Sequence, residues 1–254
     1  MIYPKNINLS IERLKQIPST NSYLTQLCKE NKAQEFHTVI AENQTAGRGQ
    51  RGNSWESECG KNLTFSTVLY PTVLEAKEQF YLSMIVAFAV VDALGGYTSD
   101  FSIKWPNDIY WKDKKIAGIL IENELEGGYI TQSIIGIGVN VNQEVFYSSA
   151  PNPISLLQII GTPIDRQELL HKILRGIMGG YIFLETNYNL AISNIRQLYH
   201  QKLYRKESFH PYRDTDGIFT AEIQEVEPSG HIVLKDTQGT LRRYAFKEVE
   251  FMLP

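Results

Sequence analysis

Three glycines (Gly47, Gly49, Gly52) and two arginines (Arg48, Arg51) fall within six residues, in the run Gly47-Arg-Gly-Gln-Arg-Gly-Asn-Ser-Trp55. Glycine lets a backbone take positive φ and approach a ligand closely, with N–H groups turned outward. Arginine adds permanent charge and a fork of donors shaped for phosphate or carboxylate. Such a loop is built to hold an anion. The spacing Gly47-x-Gly49-x-x-Gly52 also fits a dinucleotide fingerprint, which requires an amphipathic helix to follow and receive the pyrophosphate. Residues 53–62 have no apolar stripe, and residues 63–70 are β-branched and aromatic, the composition of a strand. Strand, loop, strand is the wrong context for that fingerprint. A solvated glycine turn is the duller reading, and it weakens as further motifs accumulate.

A second stretch, Lys104-Trp-Pro-Asn-Asp108, follows alternating residues 101–103. Proline cannot donate to a ladder and stops the strand, which leaves Asn107 and Asp108 in a turn. Lys115-x-x-Gly118-Ile-Leu-Ile-Glu122 and Gly136-x-Gly138-Val-Asn140 come next. Glycines inside adjacent strands weaken both unless a backbone or ligand comes close, so they predict a cleft floor. Near the N-terminus, Ser19-Thr-Asn-Ser22 offers small polar side chains that can cap a helix and also hydrogen-bond a ligand. Each residue has a plainer role as well. Trp55, Trp105 and Trp111 suit a core, Lys104 and residues 112–115 a solvated edge, and Asp108 a turn. His171, His200 and His210 show no metal-ligand spacing and read as structural.

The elements that must position these groups are legible in outline. Residues 8–31 read as two helical pieces broken at Pro18, the second over 23–30. Strands are predicted over 39–42, 63–70, 101–105, 109–111, 116–122 and 129–141. The run 80–94 is apolar nearly all round, as a helix sandwiched in a core would be, and Gly95-Gly96 ends it. Residues 154–204 carry apolar positions such as Leu169, Leu170, Ile173, Leu174 and Ile177 at helical spacing and should cover one face of a sheet. Beyond about 206 the chain turns to short strands over 217–226, 231–236 and 241–250, a module too small to hold much core alone.

The whole chain sets limits. At 254 residues it suits one large domain with a small one attached. A net charge of −3 gives no basic field for nucleic acid. Two cysteines, Cys28 and Cys59, suit a reducing compartment and exclude a thiolate zinc cluster. No secretory pattern opens the chain, and the apolar run falls short of a membrane span. A cytoplasmic protein is expected, without membrane or DNA as partner.

The four segments, in this order and with Ser19-Thr-Asn21 ahead of them, resemble the signature segments of biotin–protein ligases, and the resemblance covers almost the whole chain. It implies an α+β fold. Residues 1–205 would form a mixed-sheet catalytic domain of the class II synthetase-like type, and residues 206–254 a C-terminal SH3-like β-barrel. The implied activity joins biotin to ATP, carried with Mg²⁺, as biotinyl-5′-AMP. The biotinyl group then passes to a lysine of a carrier domain such as that of acetyl-CoA carboxylase. By the same resemblance Arg48 and Lys115 approach the carboxylate and α-phosphate, and Asp108 helps the incoming lysine lose its proton. Ser19, Thr20, Asn21 and Gln44 bind biotin's polar ring, with Gly47, Gly49, Gln50 and Gly118 lining the same site. Arg51, Trp55, Lys104, Asn107 and Asn140 lie towards the nucleotide. No metal-ligand set is implied.

The chain departs from the family's best-known bacterial members at Gln50 and Asn53, where they carry arginine. The electrostatic role is therefore not transferred to Gln50, and Arg51 becomes the candidate to retain the adenylate. Only 18 residues precede Ser19, too few for the DNA-binding domain of family members that double as repressors. A monofunctional ligase is expected. Pairing by sheet-edge extension keeps a homodimer open. Lipoate–protein ligase and a non-catalytic biotin sensor are the competing readings. The polar set Ser19, Thr20, Asn21 and Gln44 favours a ureido ring over a flexible apolar tail, and Lys115 argues for catalysis.

Overall fold

The computed structural model describes residues 10–147 and 152–253. Its centre is a seven-stranded mixed sheet in the order β1-β2-β3-β7-β6-β5-β4. These strands are β1 (Ile11–Ile17), β2 (Thr38–Gln44), β3 (Leu63–Leu69), β4 (Phe101–Lys104), β5 (Asp108–Trp111), β6 (Lys114–Glu126) and β7 (Tyr129–Val139). Every residue of β3 is buried, because this strand has neighbours on both edges and packing on both faces.

The helical reading of the residues before Pro18 is corrected. Ile11, Leu14 and Ile17 recur at three-residue spacing, yet the segment is β1, paired parallel with β2. Local periodicity cannot reveal the ladder bonds that a distant strand supplies, and here those bonds win. Residues 8 and 9 of that reading lie outside the described residues. Helix α1 (Thr20–Lys29) starts earlier than residue 23 and crosses between the two parallel strands. Ser19 is its N-cap and accepts from Ser22 N at 3.5 Å.

Helix α1 packs on one face of the sheet, its Leu24 against Val39, Val68 and Ile134. The larger core lies on the other face, where α2 (Phe80–Gly95) is buried on nearly every side. The segment Ala76–Gly95 is long and apolar enough to cross a membrane by composition, but most of it lies inside the fold. Helices α4 (Arg166–Thr186) and α5 (Tyr188–Gln201) pack on α2, and a short α3 (Leu156–Ile160) precedes them. Close approach of α2 and α4 depends on Gly180, where a Cβ would stand 2.7 Å from Ile85 Cγ2.

After α5 the chain runs along the β4 edge, with Ile103 N donating to Lys202 O and Tyr204 N to Ile103 O. It then forms a second sheet, β11-β10-β9-β8-β12. Its strands are β8 (His210–Asp214), β9 (Gly217–Val226), β10 (Ile232–Asp236), β11 (Leu241–Tyr244) and β12 (Glu250–Phe251). Strand β8, Pro-containing and half exposed, carries no alternating signal and escapes the sequence reading. The small sheet shares the main core through Tyr212, Ile223, Ile232 and Leu234, as its size requires. Trp105 Nε1 donates to Gly230 O at 2.9 Å, and Phe80 N to Pro228 O at 3.1 Å.

Candidate active site

The register of β6 and β7 sets Gly118 opposite Gly138 and Leu120 opposite Gly136. Without side chains there, the sheet has a floor on which other groups rest. A Cβ on Gly138 would stand 2.3 Å from Trp55 Cε2, and one on Gly118 2.9 Å from Trp55 Cζ3. A Cβ on Gly136 would stand 2.1 Å from Asn21 Oδ1. The cleft floor expected from these glycines is therefore real, and Trp55 and Asn21 occupy it.

Over the Asn21 end of the floor, polar groups converge from four elements, α1, β2, β3 and β6. Gln44, at the end of β2, accepts from Thr20 N at 2.8 Å and from Thr20 Oγ1 at 3.1 Å. Ser66 on β3 is fully buried, with its hydroxyl 2.7 Å from Thr20 Oγ1 and 2.5 Å from Asn21 Oδ1. Asn21 Nδ2 donates to Glu122 Oε2 at 2.8 Å. Ser66 and Glu122 were not among the candidates. Alternation would have exposed Ser66, since Thr64 and Ser66 put hydroxyls on one face of an apolar strand. Glu122 closes the Lys115-x-x-Gly-Ile-Leu-Ile-Glu122 motif but, as a strand carboxylate, looks like an ordinary solvated residue.

Arg48 forms an ion pair with Glu122 and donates a further hydrogen bond to Ser22 Oγ at 3.3 Å. The loop that carries it is closed on itself: Gly49 N donates to Asn53 O at 2.7 Å, and Trp55 N to Gly47 O at 2.9 Å. A Cβ on Gly47 would meet Trp55 O at 2.5 Å, so this closure needs glycine. On the far side, Lys115 Nζ lies 2.6 Å from Asp108 Oδ1, with side chains only 24% and 19% exposed. The Lys115 ammonium also lies 5.7 Å from the Trp55 ring centre. Backbone pairing of Asp108 with Gly118 across β5 and β6 fixes their separation from the floor. Lys104 Nζ lies over the rings of Tyr110 and Phe251, and burial pulls its ammonium below the usual lysine range. Asn107 clamps the turn to β6, donating to Ile119 O at 2.6 Å and accepting from Ile119 N at 2.9 Å.

These groups line one cleft, concave and mixed polar and apolar as small-molecule sites are. It gathers Ser19, Thr20, Asn21, Gln44, Arg48, Gly49, Gln50, Trp55, Lys104, Asn107, Asp108, Lys115 and Gly118. Trp105 and Phe246 join them without having been candidates, and Gly136 joins as part of the predicted floor. Trp55 Nε1 and Gln50 Oε1 are buried here without a hydrogen-bond partner among the described residues. Such groups are costly unless a ligand satisfies them. Three candidates stand apart. Gly47 shapes the loop behind the cleft wall. Asn140 is turned into the core, where its amide donates to Ile154 O at 3.1 Å and ties β7 to the segment before α3. The Arg51 side chain lies outside the described residues.

The arrangement offers a polar pocket for a ring, then two separated cations, Arg48 and Lys115, then a third, Lys104. Each of the first two has an adjacent carboxylate that offsets its charge. A site of this form can draw two anions together and stabilise the charge that develops between them.

Fold and cleft place the chain in a recognised group. It belongs to the biotin/lipoate A/B protein ligase family, whose profile matches residues 14–140. The bifunctional ligase/repressor BirA of Bacillus spizizenii is 32% identical over 238 residues, covering 90% of this chain and 70% of that protein. The biotin–[acetyl-CoA-carboxylase] ligase of Paracoccus denitrificans is 36% identical over 141 residues, 52% of this chain and 57% of the relative. Among solved structures, the biotin protein ligase from Aquifex aeolicus in complex with biotin and ATP matches with a TM-score of 0.77. That alignment is 26% identical and covers 96% of this chain and 99% of the other.

Proposed function

We infer that this chain is an ATP-dependent biotin–protein ligase. The observation that carries the reading is one cleft in which the ring-binding set Ser19, Thr20, Asn21 and Gln44, backed by the buried Ser66 hydroxyl, leads directly to Arg48 and Lys115. Relatives bearing that activity and a solved relative holding biotin and ATP support it.

Biotin's carboxylate, with a pKa of roughly 4 to 5 as for simple carboxyl groups, is already ionised at neutral pH. It needs no triad to activate it. In the first step a carboxylate oxygen attacks the α-phosphorus of ATP, the bond to the bridging oxygen breaks, and pyrophosphate leaves. Arg48 exchanges Glu122 for the incoming carboxylate, and Lys115 exchanges Asp108 for the α-phosphate. The two cations offset the repulsion between the anions. ATP enters as its Mg²⁺ complex, the usual form in which that cation keeps waters and phosphate oxygens. In the second step the carrier lysine's neutral amine attacks the acyl carbon and AMP departs. Asp108, released by Lys115, accepts the amine's proton.

The acceptor is the carrier domain of a biotin-dependent carboxylase. The reading places the enzyme in the cytoplasm, without DNA or membrane as partner and with a homodimer as an available assembly. Residues 1–205 act as the catalytic domain and 206–254 as an attached module. The test is ATP–pyrophosphate exchange with biotin or lipoate as the only acid. Exchange with biotin, lost in Lys115→Ala, is expected. Exchange with lipoate alone would keep the chemistry and replace the substrate, and no exchange despite tight biotin binding would leave a sensor.

A further inference from the structure

Of the three cations in the cleft, Arg48 and Lys115 each hold a carboxylate. Lys104 does not: among the described residues it forms no ion pair, although β4–β5 pairing sets it opposite Asp108. The Asp108 carboxylate is taken by Lys115. The other charges around Lys104 are Lys115, Arg205 and Glu250, and none of them pairs with it. What faces the ammonium instead is two aromatic rings, Tyr110 with its centre at 5.4 Å and Phe251 at 5.0 Å.

The two modes of support differ in their consequence. A carboxylate would neutralise Lys104 and would have to be displaced by any incoming anion. Ring faces attract a cation through their quadrupole and leave its net charge intact. The rings also come from different sheets. Tyr110 belongs to β5 beside the cleft, whereas Phe251 is the last residue of β12 in the C-terminal sheet. That sheet is held against the cleft by the Trp105–Gly230 hydrogen bond, by Arg205 Nη1 donating to Met252 O at 2.8 Å, and by Trp105 packing edge-on to Phe246.

We propose that Phe251 is a positioning residue for the ligation reaction: its ring, with that of Tyr110, holds Lys104 as an uncommitted cation directed at the phosphates of the nucleotide. The C-terminal sheet thereby supports part of the nucleotide site indirectly, through the placement of Lys104. The proposal rests on the ligase reading for its substrate, and the geometry for its mechanism. Burial lowers the proton affinity of Lys104, and an anion arriving beside it restores the charge's favourable surroundings.

The experiment replaces Phe251 in the full chain with mono-, di- and trifluorophenylalanine, which keep the ring's size while draining its face of negative potential. Two quantities are read. The first is the Lys104 titration by NMR of ¹³Cε-labelled lysine with no nucleotide present, assigned with Lys104→Arg. The second is the KM for ATP in biotin-dependent exchange. The Lys104 pKa should fall stepwise with fluorination, and the KM for ATP should rise by about fivefold for the trifluoro ring, the scale of one cation–π contact. The KM for biotin should not move. Phe251→Leu should behave as the strongest member of the series, and Phe251→Tyr should restore wild-type values. A titration and a KM both flat across the series would overturn the proposal, since a merely structural ring would tolerate fluorine. A stepwise titration with no exchange in the wild type would instead uphold the cation–π hold and refute the ligase reading.

Discussion

Trp55 lies on Gly138 so closely that a methyl group at position 138 would come within 2.3 Å of the indole Cε2. The anion loop and the sheet floor are thus fitted to each other through a missing side chain. Gly138 has no positive φ to preserve, so alanine is tolerated by the backbone and only the contact is lost. Gly138→Ala is expected to eject Trp55 from the floor, with a red-shifted tryptophan emission and a cost of about 1–3 kcal/mol typical of overpacking. Adenylate formation should fall with it. Unchanged emission and exchange would mean that the floor yields.

Lys115 and Asp108 form a half-buried pair, so removing one member leaves the other's charge facing the cleft. Lys115→Ala is expected to lower ATP–pyrophosphate exchange by about 10²–10³, the usual loss for one charge-stabilising donor. Biotin binding, measured by calorimetry, should persist because the ring-binding groups lie on α1, β2 and β3. Asp108→Asn should spare the exchange reaction more than transfer to the carrier lysine.

Ser66 touches no bulk solvent and joins Thr20 to Asn21. Ser66→Ala leaves Asn21 Oδ1 without that donor in a buried setting. About tenfold weaker biotin binding is expected, on the scale of one buried hydrogen bond, with the affinity for ATP unaltered. Equal losses for both substrates would indicate a general collapse of the sheet floor.

Lys104 gives the site a pH dependence of defined sign. Burial holds its folded pKa below the ordinary 10.5, so its charge is lost as pH rises through that lowered value. The KM for ATP should therefore climb in alkaline solution before an ordinary lysine would titrate. Stability runs the other way: the cost of burying the charged amine is present below the folded pKa and eases as pH rises towards 10.5. Lys104→Arg, which stays charged, should flatten the KM profile between neutral pH and about 10.

Much of this protein is legible in its sequence because the informative signals are local. The glycine–arginine loop, the Pro106 strand stop, the in-strand glycines and the all-round apolar run 80–94 each state their own backbone or burial requirement. They need no knowledge of neighbours, and together they defined the family resemblance, the cleft floor and most of its lining. What the sequence left undecided is pairing. Ile11, Leu14 and Ile17 carry helical spacing, but a parallel partner 27 residues away made them a strand. Asn140 has the residue type of a nucleotide ligand, but the carbonyl of Ile154 claimed its amide. Whether an arginine or lysine is matched by a carboxylate or by a ring depends on which strands lie side by side. Only the tertiary structure could give Arg48 to Glu122, Lys115 to Asp108, and Lys104 to an aromatic face from the far end of the chain.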